Sequence, residues 1–170
     1  AGVALETGPP VHDGQMVGEG GGEGGGLEAL VEEYPYRGGS CRVVQSDANE
    51  ILADYCSQDW AGRRALVFLD PFGTEVRWAT IQALGATRAV DLWYLFPLSG
   101  ILRMARNDGS IPDDWAARID SVLGTKDWRD EFYRPSSQLS LFDDSPTRAE
   151  RTVNTETLRQ FVMGRVQTAF

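Results

Sequence analysis

"RRALVFLDPFGTEVRW", Arg63 to Trp78, decides how this chain is read. Five apolar residues, Ala65 to Leu69, run without a polar break and end at Asp70, Pro71, Phe72 and Gly73. A short apolar run bounded by turn residues fits a strand of a parallel sheet with helices on both faces. A carboxylate closing such a strand is costly unless it meets water, a donor or a ligand, so Asp70 is the first candidate functional residue. Pro71 keeps Asp70 extended, and Gly73 lets the chain turn sharply or approach a ligand closely.

Working outward, the pattern alternates. Downstream, Thr74 is the expected N-cap of a helix through Leu84, with Trp78, Ile81 and Leu84 inward and Gly85 as its stop. "AVDLWYLFP", Ala89 to Pro97, is the next strand. Upstream, "CRVVQSD" (Cys41 to Asp47) reads as a strand and "ANEILADYCSQ" as a helix carrying Ile51, Leu52, Tyr55 and Cys56 on one face. "LEALVEEY" before them places Leu27, Leu30, Val31 and Tyr34 on a helical stripe. Three strands joined by two helical crossovers make βαβαβ, so the expected fold is α/β, a Rossmann-like doubly wound, mostly parallel sheet. In such a sheet ligands bind beyond the carboxyl ends of the strands. Asp47 and Asp70 both fall there and are expected side by side, facing one cleft. The alternative for each is to cap the helix that follows it.

After Pro97 the periodicity changes. Pro112 begins a helix holding Trp115, Ile119, Val122 and Leu123, which Gly124 ends. "DWRDEFYRP" supplies Trp128, Phe132 and Tyr133 on a helical turn, and "SSQLSLFDDSP" reads as an exposed loop between Pro135 and Pro146. Leu158, Phe161, Val162, Val166, Ala169 and Phe170 keep helical spacing to the last residue. The expected organisation is a flexible glycine-rich lead-in over 1–26, an α/β core over 27–110, and a helical extension over 111–170 packed on that core, with an exposed loop at 135–147. The missing initiator methionine and the uncapped final helix lead us to expect a fragment cut at both ends.

Composition narrows the chemistry. The chain has 170 residues, enough for one domain with appendages. A net charge of −9 opposes phosphate binding by the surface as a whole, although charge can be local. No apolar run approaches the ~20 residues of a membrane span, no signal peptide is read, and a cytoplasmic protein is expected. Cys41 and Cys56 have no metal-ligand spacing and read as buried thiols. His12 is the sole histidine, so no metal centre or histidine-based triad is expected. Gly20, Gly22 and Gly25 form a G-x-G-x-x-G inside a glycine tract, without the flanking strand and helix of a phosphate loop. Asp91 reads as a buried aspartate bonded to backbone donors, and Trp78, Trp93, Trp115 and Trp128 as core anchors. Arg103 and Arg106, after the last strand, read either as meeting a phosphate or an acidic partner or as a solvated helix face.

"DANEIL", "ALVFLDPFGTEVRWATIQALGATRAVDLWYLFPLSGILRM", "DDWAARIDSVLGTKDWRDEFY" and "RVQTAF" together resemble the three-Cys-motif partner (TcmP) family, from about Leu27 to Phe170. The resemblance implies a fold similar to class I S-adenosylmethionine methyltransferases. It also implies a neighbouring partner protein with a three-cysteine motif of the radical-SAM type, and a bacterial mobile-element or phage-related setting. Asp47 and Ala48 then match the place after the third strand where such enzymes contact the adenine end of S-adenosylmethionine. Asp70, Pro71 and Phe72 resemble the Asp-Pro-Pro-aromatic motif of amino-methyltransferases, with the second proline absent and the ring one place forward. The first strand with its acidic, glycine-bearing cofactor loop is not found, so S-adenosylmethionine is expected only of the full-length protein, and this fragment is expected to be inactive alone.

"QLSLF" matches the short peptide with which bacterial proteins dock into the sliding clamp of DNA polymerase. Gln138 would be hydrogen-bonded, with Leu139, Leu141 and Phe142 filling the apolar pocket. Its alternative is a loop folded back on the domain. Three functions stay open: a methyltransferase-like enzyme acting on or with nucleic acid, a non-catalytic interaction module for the three-cysteine partner, and a clamp-tethered accessory factor.

Overall fold

The computed structural model describes residues 2–7, 13–18, 40–135 and 149–170. It has mixed α/β architecture and divides into two compact units, 1–96 with Ala169–Phe170, and Pro97–Thr168.

The first unit holds β1 (Gly2–Thr7), β2 (Asp13–Gly18), β3 (Ser40–Gln45), α1 (Ala48–Cys56), β4 (Ala65–Asp70), α2 (Trp78–Ala86) and β5 (Val90–Tyr94). Its five-stranded sheet runs in the order β3-β2-β1-β4-β5. β1 pairs antiparallel with both β2 and β4, while β2–β3 and β4–β5 are parallel pairs. The order matches the first five strands of a doubly wound sheet, but the central strand is reversed. The β4-α2-β5 unit is the expected adjacent crossover. β3 and β4 share a direction yet are separated by β2 and β1, which departs from the expected consecutive βαβαβ.

Two of these strands lie inside the stretch read as a lead-in without packed elements. Gly2–Thr7 alternates around Val3 and Leu5, a short β pattern overshadowed by the glycine tract that follows Gly18. The predicted helix over 27–34 lies outside the described residues, as do His12 and the 20–25 glycine pattern.

Steps from β3 to β4 and from β4 to β5 move across the sheet in one direction, so right-handed crossovers set α1 and α2 on the same face. The two helices pack against each other. Alternation along β4 follows: Ala65, Val67 and Leu69 are buried, whereas Leu66, Phe68 and Asp70 are exposed. The expectation that β4 is covered on both faces is therefore corrected to one covered face. α1 buries Leu52, and α2 buries Trp78, Ile81 and Leu84, each contributing about 1.5–3 kcal/mol.

The start and stop of α2 also differ from expectation. Arg77, not Thr74, occupies the N-cap position, without a side-chain cap bond. Gly85 lies inside the helix, where a Cβ would collide with the backbone carbonyl of Ala169; close approach, not helix termination, requires glycine there.

The second unit holds α3 (Leu98–Met104), α4 (Asp113–Leu123), α5 (Trp128–Phe132), β6 (Tyr133–Pro135), β7 (Ala149–Arg151) and α6 (Thr155–Ala169, whose last residue belongs to the first unit). Pro112 precedes α4 and Gly124 ends it with φ 64°, as the sequence predicts. Ile101, Ile119, Leu123, Trp128, Phe132 and Leu158 are fully buried. The Phe132 ring meets those of Trp128 at 5.5 Å and Phe161 at 5.8 Å between centroids. Asn154 caps α6 by accepting from the backbone N–H groups of Glu156 and Thr157, while Thr157 Oγ1 accepts from Asn154 N–H. Among the described residues no helix is long and apolar enough to cross a membrane.

Candidate functional site

The residues singled out from sequence gather at the carboxyl ends of β3 and β4, with different fates. Asp47 is the N-cap of α1, and its carboxylate is occupied. Oδ1 accepts from the backbone N–H of Asn49 at 2.7 Å and from Asn49 Nδ2 at 2.9 Å, and Oδ2 meets the Arg77 guanidinium at 3.3 Å. Partial burial works to raise the Asp47 pKa, but these bonds and the Arg77 charge together hold it below the ordinary aspartate value. Ala48 is 3% exposed inside the helix. Of the two roles weighed for Asp47, capping is the one this geometry displays.

Asn49, to which the sequence reading gave no role, is the hub of this corner. Its Nδ2 donates to Asp47 and to the Glu75 carbonyl at 3.0 Å. Its Oδ1 accepts from the backbone N–H of Arg77 at 2.9 Å and from the Thr80 hydroxyl at 2.8 Å. The amide therefore rivets the β3–α1 turn to the segment leading into α2. An Asn two residues after an Asp cap offered only the faint signal of an Asx-rich turn.

Asp70 is the last residue of β4 and is exposed; among the described residues its side chain makes no hydrogen bond or ion pair. Gly73 N–H donates to the Pro71 carbonyl at 3.0 Å, which closes a three-residue turn with Phe72 at its apex, 80% exposed. Gly73 takes the left-handed φ of 88° that lets the chain leave this turn. Asp47 and Asp70 thus share a rim but do not stand side by side: with two strands between β3 and β4, the strand ends are about 14 Å apart at standard spacing.

A second feature adjoins Asp70. Register pairs Leu66 with Asp91 and Phe68 with Trp93 across β4 and β5. Residues two apart share a face, so Leu66, Phe68 and Asp70 line up beside Asp91, Trp93 and Leu95. Leu66 is 39% exposed, Phe68 37%, Trp93 66% and Leu95 54%. This corrects the reading of Trp93 as a core anchor; Trp78 and Trp128 are anchors, at 3% and 0% exposure. Asp91 is likewise not buried: it forms an exposed ion pair with Arg64 at 3.1 Å. Cys56 is half-buried and free, and burial pushes its thiol pKa up. Gln138, Leu139, Leu141 and Phe142 lie outside the described residues.

Comparison with protein-family models, with curated proteins and with solved structures finds no match to the chain.

Proposed function

We propose that this chain is an α/β interaction module of the three-Cys-motif-partner type, with a Rossmann-like, methyltransferase-like ancestry. It docks the three-cysteine partner protein on the open face of β4 and β5. The observation that carries this reading is the cross-strand pair Phe68 and Trp93, left exposed between Leu66 and Leu95 on adjacent strands. Contiguous exposed apolar surface with a charged border marks a protein-binding face, and aromatic side chains dominate such interfaces. Arg64, Asp91 and Asp70 supply that border. The test is titration of the partner protein into the chain by calorimetry. Trp93→Ala is expected to weaken binding at least tenfold, a loss of about 1.4 kcal/mol. Equal affinity for the variant and the parent overturns the reading.

A second reading is favoured by one feature of the β4 end: the Asp70 carboxylate has no partner among the described residues and is followed by the exposed Phe72 ring. In the full-length protein these residues would act at a nucleic-acid base in a methyltransferase-like reaction. The described residues by themselves do not fit S-adenosylmethionine. Asp47 is held by Asn49 and Arg77, Ala48 is buried, and the reversed β1 cannot present a carboxyl-terminal glycine turn at the same rim. Calorimetry of the full-length protein with S-adenosylmethionine, followed by a methyl-transfer assay of Asp70→Asn, decides this reading. Absence of binding removes it.

A further inference from the structure

The surface of the second unit carries an open pocket of about 570 Å³ lined by Ser99, Leu102, Arg103, Ala105, Arg106, Asn107 and Arg151. Three of these residues are arginines and none is acidic, in a chain whose net charge is −9. By contrast, Arg64, Arg77, Arg129 and Arg159 each form an ion pair with a carboxylate. Three cationic residues around one pocket with no acid in its lining favour an anion there.

The three arginines have different local roles. Arg151 is anchored: Nη1 donates to the carbonyls of Leu102 at 2.8 Å and Ala105 at 2.9 Å, which caps the end of α3. Its Nε and Nη2 donors are not used in those bonds. Arg106 lies over the Trp115 ring at 5.4 Å, and its own carbonyl accepts from the Tyr133 hydroxyl at 2.8 Å, so both its backbone and its head group are positioned. Arg103 makes no hydrogen bond or ion pair among the described residues. The nearest acid in sequence, Asp108, accepts from the N–H and hydroxyl of Ser110 and does not line the pocket.

We propose that this pocket binds the phosphate of a nucleotide. Guanidinium groups match phosphate oxygens in charge and geometry, and Asn107 and Ser99 add neutral donors beside them. The volume is in the range of small-molecule sites and exceeds what an isolated phosphate fills. Leu102 offers that remaining space an apolar side, suited to a sugar or base carried by the phosphate.

The test is calorimetric titration of the full chain, at low and at moderate salt, with inorganic phosphate, adenosine monophosphate and a phosphorylated single-stranded decathymidylate. Adenosine monophosphate binding at least as tightly as the oligomer identifies a free nucleotide as the source; a markedly tighter oligomer identifies a nucleic-acid end. In either case the Arg103→Gln/Arg106→Gln double variant is expected to lose at least tenfold in affinity while keeping a cooperative thermal transition, its midpoint lowered only by the loss of the Arg106–Trp115 contact. Arg151 is left intact because it supports α3. Inorganic phosphate binding as tightly as both nucleotide probes overturns the nucleotide assignment. No binding of any probe, or undiminished binding by a folded double variant, overturns the site.

Discussion

Asn49→Ala tests whether the corner between α1 and α2 is held by one amide. The side chain makes four hydrogen bonds, with Asp47, Glu75, Arg77 and Thr80. At about 1 kcal/mol net for each, their loss sums to about 4 kcal/mol. The Asp47 contact lies nearest solvent, where water replaces it, which lowers the figure to about 3 kcal/mol. Thr80 is 6% exposed, so its hydroxyl is left buried without this acceptor and the value does not fall much further. Against a typical domain stability of 5–15 kcal/mol, roughly a fifth or more is at stake. The assay is urea denaturation followed by far-ultraviolet circular dichroism, comparing the parent, Asn49→Ala, Thr80→Val and the double variant. Coupling of at least about 1 kcal/mol between positions 49 and 80 is expected. A single-variant loss under about 1 kcal/mol, at unchanged denaturant slope, refutes the assignment of Asn49 as the rivet.

Gly85→Ala forces a methyl group into the Ala169 carbonyl and is expected to cost about 1–3 kcal/mol in thermal melts; shortening the chain to end at Thr168 should abolish that cost. Asp120 accepts from Trp128 Nε1 and Arg129 Nη1, both at 2.7 Å, and Trp128 is fully buried, so Asp120→Ala should destabilise by about 2 kcal/mol in denaturant titration. Burial tends to raise the pKa values of Asp47 and Asp120, yet their hydrogen bonds and cationic neighbours hold both below the ordinary aspartate value. Their contribution is therefore complete above the unfolded-state pKa near about 4 and is lost as the pH falls through the lower folded values. Replacing both with asparagine should flatten the acid limb of a stability-against-pH curve; an unaltered limb excludes them as its cause. If the open sheet face is the proposed docking surface, Trp93→Ala should raise the dissociation rate of the three-cysteine partner, while Asp70→Ala should change chiefly the association rate and its salt dependence, as surface-plasmon measurements would record.

What the sequence disclosed was what neighbouring residues decide. The apolar spacing of Leu52, Ile119 and Leu158 marked three helices, and Gly124 marked a left-handed stop. Relations between distant residues were hidden. Thr74 looked like a cap because it is the nearest hydroxyl, but Asn49, across the fold, fixes the approach to α2 through Glu75 and Arg77. Gly85 looked like a terminator because no local rule contains Ala169. β4 looked covered on both faces because Leu66 and Phe68 are as apolar as Val67 and Leu69; only the strand order shows that its two crossover helices fall on one side. The site residues divide likewise: their place at strand ends was legible, whereas their separation depended on the two strands that insert between β3 and β4.

Asp47 and Asp70 then illustrate how one residue type is assigned two roles by its surroundings. A carboxylate that accepts from an amide, a backbone N–H and a guanidinium has little capacity left for a ligand; its bonds are part of what sets α1 against α2. A carboxylate at a strand end, without a partner among the described residues, adds nothing comparable to the fold and remains available at its border. The same contrast separates Arg77 or Arg129, each spent on an aspartate, from Arg103 and Arg106. Polar groups already satisfied within a unit explain its stability, and those left unsatisfied at the edge of an apolar face or a pocket are where binding free energy can still be gained. On that criterion the open face of β4 and β5 and the arginine-lined pocket, rather than the Asp47 corner, are the surfaces the two proposals place binding on.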